Sequence, residues 1–473
     1  MALSHALMCG CLAAVVVVGP VHAQSVVTAD VSEVQLSPTR DDVKAIGMGN
    51  TQVANGKTFN AMQYNPALLA RTRTAIDVVS VQANLPLNSF DAFAFLRDNA
   101  DQFRSASFIT TIDAGVRALG AAQTPDQEAA AIRQINGGLS FLSGLGDKVI
   151  GSADNPKVHG FVVIPAVQVQ VGNLGFSLHS TLRSAFVTYP GDVLGALYAL
   201  RLPTDLTSLS QSELIDLSTK LYNIINPLLD PITHELRYPQ QVIPKTVALS
   251  YMDVVGTVGY GFQVFPDLSV GANLKLVNRR VSTRVINSDN YKDILSELRK
   301  DFESSATGVT LDLGGLYRLA STGTEFGISL QNMIPLPRIS PTATFNSVAY
   351  DENHTLQVVE VHAPFEFTSP FLVNIGVTHP ILSNWDASFD WVDMAQQDDQ
   401  YPSTMARLRL GTEFRLDAIP QMLGLALRGG VENRKLAGGV GVNLFRVVQI
   451  DGAYAWDNIV EDYAVYAQVR VGW

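Results

Sequence analysis

Ten charged residues in the second half of the chain fall where a period-two reading puts them on one face of successive strands. They are Asp386, Asp390, Arg407, Arg409, Glu413, Arg415, Arg428, Glu432, Asp451 and Arg470. A charge-selective pore gathers one sign at its constriction. Here five acids and five bases interleave, as in a paired network that braces a wall or grips something laid against it. The alternative is a solvated interior wall without partners. Hydrolytic chemistry is not spelled out. None of the eight histidines has the i, i+4 spacing of a zinc helix, and the chain has no Gly-x-Ser-x-Gly elbow. We expect no catalytic residue, no metal and no cofactor. A Ser or Asp paired with a His at one rim would be the remaining route to an enzyme. His179 is expected to be an interior hydrogen-bonding group.

A second set of residues could do mechanical work. Between Asp41 and Arg73 lie Ile46-Gly-Met-Gly-Asn50, Val53-Ala-Asn-Gly56 and Tyr64-Asn-Pro-Ala67. Gly47 and Gly49 permit tight backbone, and Asn65-Pro66 is a turn dipeptide. Alone these signals describe a compact, turn-rich segment or a surface loop.

The elements that must position both sets are strands. Along the last eleven residues Tyr463, Val465, Ala467, Val469, Val471 and Trp473 share one face, while Ala464, Tyr466, Gln468, Arg470 and Gly472 share the other. Alternation and turn chemistry predict strands near 75–84, 159–172, 174–188, 246–264, 268–286, 307–319, 324–334, 369–380, 384–394, 402–416, 421–432, 436–445, 447–457 and 462–473. Connections after the even-numbered strands are short. Those after strands one, three, five and seven are long, at roughly 85–158, 189–245, 287–306 and 335–368. Short turns at one end against long loops at the other is the asymmetry of a membrane barrel. All four tryptophans (Trp385, Trp391, Trp456 and Trp473) fall on the apolar face, mostly near strand ends, where indole suits a headgroup boundary.

The chain has 473 residues, 47% apolar and 16% charged. After the N-terminus no apolar run is long enough for a spanning helix, so a membrane-spanning form must be a closed barrel. The net charge of −11 argues against nucleic acid as a partner. Residues 1–23 read as a secretory signal, with an apolar run from Cys11 to Val18 and Val21-His22-Ala23 before the cut. Cys9 and Cys11 both fall inside it, so the mature chain is expected to have neither disulfide nor thiolate site. Residues 24–40 read as a polar lead-in.

Within the long connections, 88–147, 191–235 and 288–306 read as helical insertions. Thr124-Pro-Asp-Gln127 and Ser210-x-x-Glu213 are helix starts. Leu214, Leu217, Leu221, Ile224 and Leu228 make an apolar stripe. Such stripes either pack on the rim and on one another or enclose a capture site for an apolar ligand.

A glycine-rich segment ending in Asn-Pro-Ala before the first strand resembles the N-terminal hatch of FadL-type outer-membrane transporters. Val309-Thr-Leu-Asp-Leu-Gly314, Gln331-Asn-Met-Ile-Pro335, Leu410-Gly-Thr-Glu-Phe414 and Leu427-Arg-Gly-Gly-Val431 resemble strand motifs of the TraF-like branch, which is grouped with PorV-like proteins. Met48-Gly49-Asn50 departs from that family's Met-Gly-Gly. The resemblance implies an all-β barrel of about 14 antiparallel strands in the bacterial outer membrane. Residues 24–73 would be lead-in and luminal hatch, and 74–473 the barrel. It further implies uptake of hydrophobic small molecules such as long-chain fatty acids, passing inward or sideways through the wall, with Gly47, Gly49, Asn65 and Pro66 setting the hatch. The competing implication is a non-transporting adaptor associated with protein secretion or conjugative transfer. The lipid bilayer is a partner on either reading.

Overall fold

The computed structural model describes residues 42–472 except 56–60, 72–74, 151–156, 158, 190, 201–205, 207–208, 238–241, 243, 287–303, 338, 340–341, 351–355, 365–368, 398–400, 402 and 458–461. The expected signal, the lead-in, both cysteines, most of the charged insertion at 288–306 and Trp473 lie outside the described residues.

Among the described residues sixteen strands follow one another. The first seven are β1 (Ala75–Pro86), β2 (His159–Val171), β3 (Leu174–Tyr189), β4 (Lys245–Phe265), β5 (Leu268–Ile286), β6 (Ser304–Leu319) and β7 (Thr324–Gln331). A hairpin of β8 (Thr342–Tyr350) and β9 (Leu356–Pro364) intervenes. The remainder are β10 (Leu372–Leu382), β11 (Trp385–Trp391), β12 (Leu408–Ile419), β13 (Leu423–Glu432), β14 (Lys435–Leu444), β15 (Val448–Asp457) and β16 (Asp462–Gly472). Fourteen of them form a closed barrel in sequence order, β7 pairing with β10 and β16 closing on β1, while β8 and β9 pair only with each other. Every barrel pairing is antiparallel, and β1 carries a bulge between Asp77 and Ser80. Closure leaves no unpaired sheet edge, the condition for a sheet to sit in lipid.

The two faces differ as alternation requires. Leu410 is 54% exposed, Ile450 43% and Val469 47%, whereas their strand neighbours Arg409, Asp451 and Arg470 are buried. The apolar rows therefore face outward and the polar rows inward, the reverse of a soluble sheet. Leu408 and Val471 are half-buried on the same bare exterior. Trp385 lies there too, its indole nitrogen donating to Thr412 Oγ1 (2.7 Å).

Two of the expected boundaries are corrected. Residues 335–368 are not a plain loop, because they contain the β8–β9 hairpin. The strand expected at 402–416 begins only at Leu408, since Thr404–Arg407 is a 3-10 turn whose Ser403 side chain accepts from the Ala406 amide. The alternation breaks there as well, with Met405 exposed and Ala406 and Arg407 both buried.

Six helices occupy the connections at the long-loop end. They are α3 (Leu87–Asp98), α4 (Ala100–Ser105), α5 (Ser107–Ala121), α6 (Pro125–Leu145), α7 (Gly191–Ala199) and α8 (Gln211–Ile225), and two short helices, α1 (Val43–Gly47) and α2 (Ala61–Tyr64), precede β1. Thr124 caps α6, and Ser210 with Glu213 forms a reciprocal capping box on α8. The apolar stripe does not stand open. Leu214, Leu221 and Leu228 are buried in one core with Phe108, Ile112 and Leu142, and Leu217 and Ile224 pack against it.

Candidate functional site

Residues 42–55 and 61–71 lie inside the barrel. Asp42 caps a short helix α1 (Val43–Gly47) by accepting from the Lys44 amide. The chain then reverses at Gly49 (φ +62°) and Asn50 (φ +58°). Every residue from Asp42 to Asn55 is buried. The second piece is α2 (Ala61–Tyr64) followed by a 3-10 turn, Pro66–Ala70, which Asn65 caps.

The first piece is held by charge. Lys44 Nζ lies 3.0 Å from Glu413, which also receives Arg428 (3.0 Å) and Arg415 (2.9 Å). Arg428 continues to Asp451 (2.6 Å), and Arg415 to Asp386 (2.6 Å). Arg470 sits between Asp77 of β1 (3.3 Å) and Asp42 of the plug (3.6 Å). Arg409 donates to the Asn50 carbonyl (3.3 Å) and to Tyr401 Oη (2.6 Å), and pairs with Glu432 (3.2 Å). Asn50 Nδ2 also reaches Glu432. One oxygen of Asp390 accepts the Gln52 and Val53 amides (2.7 and 3.0 Å), and the Val43 amide donates to Gln468 (3.1 Å).

All ten luminal charges expected from the sequence take part in pairing or hydrogen bonding. Arg407 does so from the 3-10 turn, pairing with Asp393 (3.0 Å). The reading missed Asp42, Lys44, Asp77, Asp393 and Tyr401, which complete the pairs from other parts of the chain.

The second piece is held mainly by neutral contacts, with one ion pair at its end between Arg71 and Glu325 (3.3 Å). Gln331 donates to the Gln63 and Tyr64 carbonyls (2.8 and 3.1 Å), Gln170 to that of Leu69 (3.1 Å), and Asn273 to that of Met62. Asn65 Nδ2 donates to Val53 O (2.8 Å) and Gly315 O (3.1 Å), joining the two pieces to the wall. Met62, Leu68 and Leu69 pack with Leu316.

Beneath both pieces the wall is glycine. A methyl built on Gly439 would lie 3.0 Å from Gly47 Cα, and one on Gly49 would lie 2.8 Å from Leu410 O. A side chain at Gly411, Gly430, Gly314 or Gly271 would overlap the plug outright. Glycine in a strand interior marks close approach of another backbone. That was the available sequence signal, because Gly314, Gly411 and Gly430 sit in the strand motifs singled out above.

Two hollows flank the plug. One of about 110 Å³ borders Asn50, Val53, Asp253, Arg279, Leu372 and Val392. The other, about 270 Å³, borders Lys44, Arg428, Gly424, Asn443 and Asp451, and reaches Gln421, Met422 and Arg446 at the short turns. Neither is a continuous apolar cavity reaching the helices.

No protein-family model matches the chain, and no curated protein matches it. Similar solved structures include the toluene transporter TbuX of Ralstonia pickettii, at 12% sequence identity over 93% of this chain and 98% of that chain with TM-score 0.45. The toluene transporter TodX of Pseudomonas putida is similar at 11% identity over 93% and 97% with TM-score 0.43. A Pseudomonas aeruginosa FadL homologue is similar at 7% identity over 93% and 99% with TM-score 0.42. At these values a likeness assigns neither family nor function, and the TraF-like branch gains nothing from it.

Proposed function

We propose that this chain is an outer-membrane barrel of the bacterial envelope that admits hydrophobic small molecules, with residues 42–55 as a displaceable plug. One observation supports displacement above the others: the wall charges that hold this piece also have partners within the wall. If Lys44 leaves, Glu413 keeps Arg428 and Arg415. If Asp42 leaves, Arg470 keeps Asp77. If Asn50 leaves, Arg409 keeps Tyr401 and Glu432. Stranding a buried charge costs about 3–5 kcal/mol, and here each of these wall groups retains a partner. Asp390 is the exception, since one of its oxygens accepts the Gln52 and Val53 amides of the plug.

The test is uptake of radiolabelled oleate and toluene by cells that lack other routes for them. The wild type should exceed a no-protein control by at least about tenfold, a difference of about 1.4 kcal/mol in barrier. Deleting residues 41–70 should make passage indiscriminate. Uptake no greater than the control removes the transport reading.

A non-transporting adaptor is the second reading. It is favoured by the mixed lining of the hollow beside Asn50 and Val53 and by that hollow's lack of a continuous apolar path to the helices. Capture of a secretion or conjugation protein by the intact barrel, with no uptake, would select it.

A further inference from the structure

We infer that the outer wall of the barrel holds the phosphate of a membrane lipid at Arg280, in the leaflet on the long-loop side. This requires the barrel to sit in a membrane and is independent of what passes through it.

Along β5 the outward residues are Leu268, Val270, Ala272, Leu274 and Leu276, followed by Asn278, Arg280, Ser282 and Arg284. Leu274 and Leu276 are bare, at 54% and 53% exposed. On β6 the same change from apolar to polar falls at the same height. Val309 pairs with Leu276, Thr307 with Asn278 and Ser305 with Arg280. Asn278 is ten residues on from Leu268. At about 3.3 Å per residue, on a strand tilted by about 40°, that stretch rises about 25 Å, the height of the apolar band of such a barrel. Asn278 thus marks the edge of the hydrocarbon, and Arg280 stands one outward position beyond it, among headgroups. A cation is costly at the middle of the lipid face and nearly free at this boundary.

The Arg280 guanidinium is held in place by its neighbours. Asn278 Nδ2 donates to Thr307 Oγ1 (2.8 Å), which orients the amide so that its Oδ1 accepts from Arg280 Nε (3.0 Å). That bond leaves the four N–H donors of the two Nη atoms. No described carboxylate pairs with them, and the outward rows of β4, β5 and β6 contain no Asp or Glu. The exposed hydroxyls of Ser305 and Thr307 lie on the same face. The next residue back makes the contrast. Arg279 points into the lumen and is closed on Asp253 by two bonds (2.8 and 2.7 Å). Donors without a carboxylate suit an anion that only accepts, and a guanidinium takes phosphate oxygens in pairs. The bare Leu274, Leu276 and Val309 just below select a lipid over a free ion, because they give its acyl chains a wall to lie against.

The test is native mass spectrometry in neutral detergent, with synthetic lipid A, a glycolipid carrying sugar phosphates, as the probe. Its dephosphorylated form is the matched control. The wild type should bind the phosphorylated lipid about tenfold more tightly or better, the worth of one charge-assisted bond. Arg280→Gln should lose that preference. Asn278→Ala and Arg280→Lys, which keep the cation but release it from the relay, should fall between. Lys435→Gln removes a cation at the same end of the barrel, one that already stands over the Trp456 ring (4.1 Å), and should change nothing. The mobility of unheated protein on gels verifies that each barrel folds.

Equal binding of the dephosphorylated lipid, or undiminished binding by folded Arg280→Gln, overturns the site. An equal loss in Lys435→Gln reduces it to attraction by net charge and overturns it too. Displacement of the lipid by equimolar inorganic phosphate makes it a free-anion site and overturns the lipid. None of these outcomes touches uptake, so the transport reading is tested separately.

Discussion

Glu413 and Lys44 differ in what their loss leaves behind. Glu413 gathers Lys44, Arg415 and Arg428 in a buried site. Glu413→Gln takes the counter-charge from Lys44, while Arg415 keeps Asp386 and Arg428 keeps Asp451, and should destabilise the barrel by about 3 kcal/mol. Lys44→Met leaves Glu413 with both arginines and should cost about 1 kcal/mol or less, while raising leak past the plug. Urea midpoints in detergent micelles measure the first difference and planar-bilayer conductance the second; equal midpoints would contradict the shared-acceptor account. At Gly49 the backbone is left-handed and a Cβ would lie 2.8 Å from Leu410 O. Gly49→Ala should therefore loosen the plug by about 1–2 kcal/mol, visible as faster amide exchange at residues 45–53. The wall half of this site was legible because charges at alternate positions on adjoining strands face one lumen. The plug half was not, since nothing in the spacing of Asp42 or Lys44 tells which distant strand each will meet.

Elements were legible where one rule governed both ends. Ser210 and Glu213 form the box their spacing promised, and Glu213 accepts from the Ser210 amide and hydroxyl. Those bonds favour the ionised carboxylate and hold its pKa below the usual value. A depressed carboxylate lends stability that is present above its unfolded pKa and lost as pH falls through the folded one. Acidification below the ordinary glutamate range should thus fray the start of α8 before the barrel changes, as hydrogen exchange at residues 211–216 would record. Asn65 was read only as part of a turn, yet it caps one element and bridges two others. Asn65→Ala orphans the Ala67 amide and two carbonyls, which should cost about 3 kcal/mol at roughly 1 kcal/mol or more per buried group. Asn65→Asp, keeping the cap but not the donors, should fall between. The β8–β9 hairpin escaped notice because it lies outside the barrel, beyond the loop-length parity that identified the other strands. Its buried Ala343 and Phe345 sit on a strand that packs against α7, β4 and β5.

At the scale of the molecule, two surroundings sort the sequence. A wall with lipid outside and a packed lumen inside must alternate along every strand, so fourteen strands could be counted from pattern alone. Loop parity then fixed which end carries the helices. The plug obeys a different rule, being buried on all sides, so its periodicity says nothing and only glycine on the facing wall records its path. The same asymmetry makes the last prediction. Deleting residues 42–55 removes a piece whose wall charges have other partners apart from Asp390. Deleting 61–71 takes the Gln63 and Tyr64 carbonyls from the Gln331 amide and Arg71 from Glu325, and removes Met62, Leu68 and Leu69 from their cluster. Buried polar groups without partners cost about 1–3 kcal/mol each. The first deletion should therefore keep a urea midpoint near that of the wild type while conducting ions in a planar bilayer. The second should unfold several kcal/mol more easily whether or not it conducts. If the first deletion unfolds as readily as the second, the charged piece is a structural strut, and a plug that leaves and returns is not what these charges were arranged to hold.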